Sequence, residues 1–157
     1  MRRSMYLGYK GRLEAYIYIW FSKSTKLVYV GETNNIHGVV GRANQHVEHN
    51  KGTLYRRVYD KGYDLDQIDD FVLLSYPLPR EKRYTSEETA YRISVEYLVQ
   101  KKLIEKKINL SSKYTIVSNV EVGPHTGLAS IQKIADDIVE DFIEAYIEAW
   151  FMEPFGR

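Results

Sequence analysis

The 157-residue chain contains no cysteine. Disulfide frameworks, thiolate zinc sites and cysteine nucleophiles are excluded, and the expected compartment is a reducing cytoplasm. No apolar run is long enough to span a bilayer. The N-terminal MRRSMYLGYKGRLEAYIYIWF begins basic, but its apolar run is short and interrupted by Glu14. Without a small-residue cleavage pattern it does not read as a signal peptide. Glycine-rich phosphate loops, serine elbows and dinucleotide fingerprints are missing as well. The four histidines (His37, His46, His49, His125) have no spacing that suggests zinc.

What remains suits one domain with a substantial core. The formal net charge of +1 conceals an asymmetry. Residues 1–127 carry 20 Lys+Arg against 14 Asp+Glu, whereas residues 128–157 carry 2 against 7. A basic body with many of the 14 tyrosines suits a polyanion with stackable bases, while an acidic tail would be repelled by phosphates. The alternative for most of these tyrosines is simple core filling.

The stretch from Glu14 to His46 organises the rest. Its runs AYIYIWF and KLVYVGE are rich in aromatic and β-branched residues and are joined by the polar Ser22–Thr25, a hairpin signal. Tyr18 and Tyr29 sit inside these strands. A helix expected from about Val40 or Gly41 to Asn50 then places Arg42 and His46 four apart, on one face. Further helices are expected over Thr53–Lys61 and from Ser86 to Lys107, the latter opened by the capping pattern Thr85-Ser86-Glu87-Glu88. Asp70–Tyr76 reads as a third strand, bounded by Pro77 and Pro79. The segment from Ser111 to Val122 reads as another strand or hairpin arm. Apolar steps of three and four from Leu128 to Phe151 predict a long amphipathic helix with an acidic outer face. That stripe suits packing on the chain's own sheet and also leaves room for a homodimer seam.

The ordered set Tyr16-Ile17-Tyr18, Tyr29-Val30-Gly31, Thr33, Arg42, Glu96 and Asn109 resembles the GIY-YIG nuclease family. The chain departs from the family pattern at Tyr16, which replaces the first motif glycine, and at His37-Gly38-Val39, extra residues before Arg42. The resemblance implies an α+β fold: a small central antiparallel or mixed three-stranded sheet flanked by helices. To it the chain adds a C-terminal strand or hairpin and the long helix. The expected organisation is one domain over 1–157, with a basic arm (1–13), a nuclease-like core (14–110) and an extension (111–157).

The implied activity is metal-dependent hydrolysis of DNA by a stand-alone, restriction-type or phage-associated endonuclease. Glu96 would bind one Mg2+ or Mn2+, and Asn109 would hold local structure. Tyr18 would serve as general base if neighbouring cations or the metal lower its phenol pKa, with Lys26 or His46 assisting. Tyr29 would position phosphate or water, and the forked guanidinium of Arg42 suits the scissile phosphate. Gly31 would let the substrate backbone approach. Arg56, Arg57, Arg80, Lys82 and Arg83 form basic strips that could contact DNA or simply be solvated. The alternatives are a catalytically silent nucleic-acid-binding protein of the same fold and, more distantly, a protein-interaction module using the acidic helix.

Overall fold

Period-two alternation in the first two apolar runs builds a hairpin whose faces go to different cores. The computed structural model describes residues 14–48, 52–106, 113–119 and 121–151. Strand β1 (Tyr16–Phe21) pairs antiparallel with β2 (Leu27–Thr33), setting Tyr18 opposite Gly31 and Trp20 opposite Tyr29. Its other edge pairs antiparallel with β3 (Val72–Pro77). The connector is fastened from outside: Asp70 accepts hydrogen bonds from Ser22 Oγ (2.6 Å), Ser24 N (2.7 Å) and Ser24 Oγ (2.9 Å).

The added strand expected within Ser111–Val122 joins the three-stranded sheet. The two-residue β4 (Thr115–Ile116) runs parallel to the start of β2, giving a mixed sheet of order β3-β1-β2-β4. Its brevity matters for function, because the β2 edge beyond Val28 is left to side chains.

Ile17, Ile19, Phe21, Val28, Val30, Leu74 and Tyr76 point into the larger core, beneath α4 (Ala90–Lys106) and α5 (Ala129–Phe151). Ile131, Ala135, Ile138, Phe142 and Ala145 of α5 are all buried there. The apolar stripe is therefore consumed by the chain's own core, and the homodimer seam read from it faces inward. Lys102 on α4 pairs with Asp136 on α5 at 2.7 Å, while Glu140, Glu144 and Glu148 stay exposed. No helix among the described residues is long and apolar enough to cross a membrane.

The opposite sheet face carries Tyr16, Tyr18, Leu27 and Tyr29, covered by Val39 of α1 (Gly38–Val47) and by Leu54 and Val58 of α2 (Thr53–Tyr59). Helix α1 starts before the expected Val40 or Gly41. Asn35 turns the chain, its Oδ1 accepting from His37 N (2.9 Å) and its carbonyl from Gly38 N (2.8 Å). Gly38 has φ +64°, a conformation costly for other residues, so the extra residues become a turn that delivers Val39 to the tyrosine core.

Helix α4 instead starts late, at Ala90 rather than Ser86. The carbonyls of Tyr84, Ser86 and Glu88 accept hydrogen bonds from Arg92 Nη1, at 2.7, 2.7 and 3.0 Å. The residues expected to cap the helix are folded around this buried guanidinium. The short α3 (Lys82–Thr85) precedes α4.

Candidate active site

The Tyr18↔Gly31 register creates the site's floor. A Cβ on residue 31 would stand 2.3 Å from Tyr18 Cζ and Oη, so only glycine leaves room for that ring. Tyr29 stacks beside it with ring centroids 6.4 Å apart, and His46 caps both, its centroid 5.5 Å from Tyr18 and 5.3 Å from Tyr29. Tyr18 Oη and His46 Nε2 are 2.5 Å apart, a short, direct hydrogen bond. His46 is only 2% exposed and its Nδ1 has no partner.

Arg42, one helical turn before His46, reaches the same phenols. Burial first, and then Tyr29, raise the Tyr18 pKa far above the ordinary tyrosine value, outweighing the opposing charge and hydrogen bond of Arg42. Tyr29 is pushed up to about 12, by burial and then by Glu96. Burial and the Arg42 charge lower His46 to about 4, so its imidazole is neutral at pH 7. The expectation that neighbouring cations lower the Tyr18 phenol is reversed, because desolvation outweighs a single guanidinium.

Glu96 enters from α4 around the β2 edge. Gln100 Nε2 donates to its Oε1 at 3.2 Å. Burial, then Glu32 and Glu121, raise its pKa to about 8, with Arg42 and Gln100 pulling the other way. The charge of Glu96 is felt at both Tyr18 and Tyr29 and at Arg42. The two phenols and the imidazole pack against one another, and the guanidinium and the carboxylate lie close enough to act on both phenols electrostatically. Beside it opens a depression of about 370 Å³, lined by Glu32, Asn34, Arg42, Thr89 and Arg92 among others.

A divalent ion fits this chemistry. Glu96 is a desolvated carboxylate in an excess of negative charge, and a cation would relieve both Glu32 and Glu121 repulsion. No group of three or more His, Asp or Glu able to hold a metal occurs among the described residues. A site with few protein ligands suits a largely hydrated magnesium ion.

Several expected substrate contacts have other occupations or lie elsewhere. Lys26 sits in the hairpin turn with φ +58°, about 16 Å along the strand from Gly31. Arg80 is paired with the buried Glu14 through Nε at 2.9 Å, and Glu14 also accepts from Tyr16 Oη at 2.8 Å. Tyr16, in place of the motif glycine, is thereby fully buried and hydrogen-bonded. Arg83 pairs with Glu81 at 2.7 Å and lies over the rings of Tyr84 and Tyr91. Arg57 donates to Asn119 Oδ1, and Arg56, Arg80 and Lys82 are the exposed members of the basic strips. Asn109 and the basic arm 1–13 lie outside the described residues.

Sequence reasoning missed Glu32, Arg92, Gln100, Ser118 and Glu121. The one local signal was Gln100, four residues after Glu96 and thus on the same helix face. A family model described as GIY-YIG catalytic domain matches residues 14–109, well over half of the chain. No curated protein and no solved structure matches.

Proposed function

The chain belongs to the GIY-YIG catalytic domain family, a family of nucleases, and from that premise we propose that it is a metal-dependent endonuclease hydrolysing phosphodiester bonds of DNA. The observation that carries this reading is the 2.5 Å Tyr18–His46 hydrogen bond within reach of Arg42 and Glu96. Because burial keeps Tyr18 protonated, it acts as a relay rather than as a standing phenolate. The attacking water gives its proton to Tyr18 Oη as Tyr18 passes its own to His46 Nε2. His46 is neutral and ready to accept. Arrival of a phosphate beside Arg42 offsets the positive charge that depresses His46, so the imidazole gains basicity when substrate is present.

Arg42 neutralises charge developing on the phosphate oxygens, and Tyr29, also held protonated, donates a hydrogen bond that orients water or phosphate. Glu96 would hold Mg2+ or Mn2+, which when bound supplies Lewis-acid polarisation of the phosphate and stabilisation of the leaving oxygen. The second reading, a silent binding protein, drew on Tyr16 and the extra residues before Arg42. Both are accommodated without disturbing Tyr18 or His46.

Supercoiled plasmid incubated with the protein should be nicked or linearised in millimolar Mg2+ or Mn2+ and left intact in EDTA. Metal-independent gel shifts with no cleavage under any condition would support the binding protein instead.

The cradle of Tyr18 gives a second expected result. Gly31→Ala forces the ring away from His46, and a displacement of about 1 Å should cost roughly 10²-fold in cleavage rate. Rates at saturating metal, compared with thermal midpoints, check this; unchanged cleavage would mean that the Tyr18 position is immaterial.

A further inference from the structure

Residues 113–119 follow the matched catalytic domain, yet they are bonded into its site. Val117 N donates to Val28 O (2.9 Å), continuing the β4 pairing, and Val117 packs with Tyr18 and Tyr29. One residue on, Ser118 Oγ accepts from Val30 N at 3.2 Å, inside the Tyr29-Val30-Gly31 motif. Gln100, fully buried on α4, holds the two N–H groups of Nε2 among three acceptors, Ser118 Oγ (3.1 Å), Asn119 O (3.0 Å) and Glu96 Oε1 (3.2 Å), so that one N–H is shared between two of them. Asn119 Oδ1 accepts from Arg57 of α2.

We infer that the strap Val117–Asn119 is a working part of the active site and that Gln100 is a positioning residue, fixing the Glu96 carboxylate by way of that strap. This rests on the reading of Glu96 as the residue that holds the metal. The physical case is geometric. A glutamate side chain has three rotatable bonds, and without a fixed donor it samples several rotamers. Gln100 cannot itself wander, because two further acceptors on the strap determine where its amide lies. The buried Gln100 Oε1 has no partner, so the amide is aligned by its donors alone, toward Glu96. Flipping it would set an oxygen against a carboxylate and a carbonyl. Partners of this kind commonly govern metal affinity.

The test uses the full chain with Gln100→Met, which keeps the volume but removes the donor, and Ser118→Ala, which removes the anchor of the amide. Mn2+ binding is followed by the loss of the free-ion electron paramagnetic resonance signal, in the presence of a non-cleavable phosphorothioate duplex. The metal concentration for half-maximal cleavage and the urea midpoint are measured alongside. Gln100→Met should weaken Mn2+ binding by about 10-fold or more, raise the half-maximal metal concentration by the same factor, and retain most of the rate at saturating metal. Ser118→Ala should shift both in the same direction by less, and it carries the test if Gln100→Met fails to fold. Variants that bind Mn2+ like the parent, or that lose rate at saturating metal with no change in metal requirement, would overturn the role of the strap while leaving the nuclease reading intact. A parent that neither binds Mn2+ nor cleaves would overturn both.

Discussion

Glu96→Gln should abolish cleavage and, at alkaline pH, make the protein more stable. The loss of activity follows from removing the carboxylate proposed to hold the metal. Lewis-acid stabilisation worth several kcal/mol, at a tenfold rate change per ~1.4 kcal/mol, corresponds to a fall of about 10³-fold or more. The gain in stability follows from the same burial and from the Glu32 and Glu121 charges that lift Glu96 to about 8. Between the ordinary carboxylate value and about 8, the folded protein retains a proton that the unfolded chain has released. Stability contributed by Glu96 is thus complete at low pH and is lost as pH rises through this window.

His46, lowered to about 4, has the opposite sign. The unfolded chain binds that proton first, so stability is lost as pH falls from about 6.5 toward 4. Below about 6.5 the two slopes largely cancel. Above it, only Glu96 contributes, and the metal-free parent should lose stability from pH 6.5 to about 8. Glutamine at 96 leaves the His46 slope alone, so the variant should gain stability up to pH 6.5 and then hold level. Thermal midpoints in EDTA at pH 5, 6.5 and 8 decide the matter. Expected is a higher midpoint for Glu96→Gln than for the parent at pH 8 and near coincidence at pH 5. Parallel curves at all three pH values would mean that Glu96 is not a buried, repelled carboxylate, and with that the case for a cation beside it falls.

Much of this site was legible before any coordinates, for identifiable reasons. Alternation fixes which side chains of a strand share a face, so the placing of Tyr18 on the Tyr29 side of the hairpin follows once the connector Ser22–Thr25 is recognised. The four-residue step from Arg42 to His46 guarantees a common helix face however the helix begins, and its start was indeed misplaced. The contacts that stayed hidden are those whose partners are distant in number. Arg92 meets Glu32 from 60 positions away, and Ser118 meets Val30 from 88. A lone arginine in a helix reads as a solvated charge, and nothing local says that three carbonyls will wrap it. The direction of the Tyr18 shift was misjudged for a related reason. Sequence displays the cation beside the phenol, but the desolvation that outweighs it comes from Val39, Leu54, Val58 and Val117, which only the fold assembles.

Arg92 is where the largest loss of stability is expected. Its side chain is 2% exposed, with Nε 2.5 Å from Glu32 Oε2 and Nη1 shared among the carbonyls of Tyr84, Ser86 and Glu88. Arg92→Leu leaves a carboxylate and three carbonyls facing an apolar side chain, and breaking one side of a buried ion pair costs about 3–5 kcal/mol. Lysine should not rescue it, since a single ammonium cannot reproduce a fork that points Nε at β2 and Nη1 at the segment entering α4. Removing both charges should be milder. In Arg92→Leu/Glu32→Leu no carboxylate is stranded, so part of the loss should return, with a coupling of about 1–3 kcal/mol in the double-mutant cycle. Urea midpoints of the four proteins, taken with the unfolding slopes, give that coupling. A single Arg92→Leu variant within about 1 kcal/mol of the parent, or strict additivity in the cycle, would mean that the guanidinium is an incidental passenger. If the cycle closes as expected, the entrance to α4 is held to β2 by charge as well as by packing. Glu96, one turn beyond Arg92, then inherits its place at the sheet edge from that attachment.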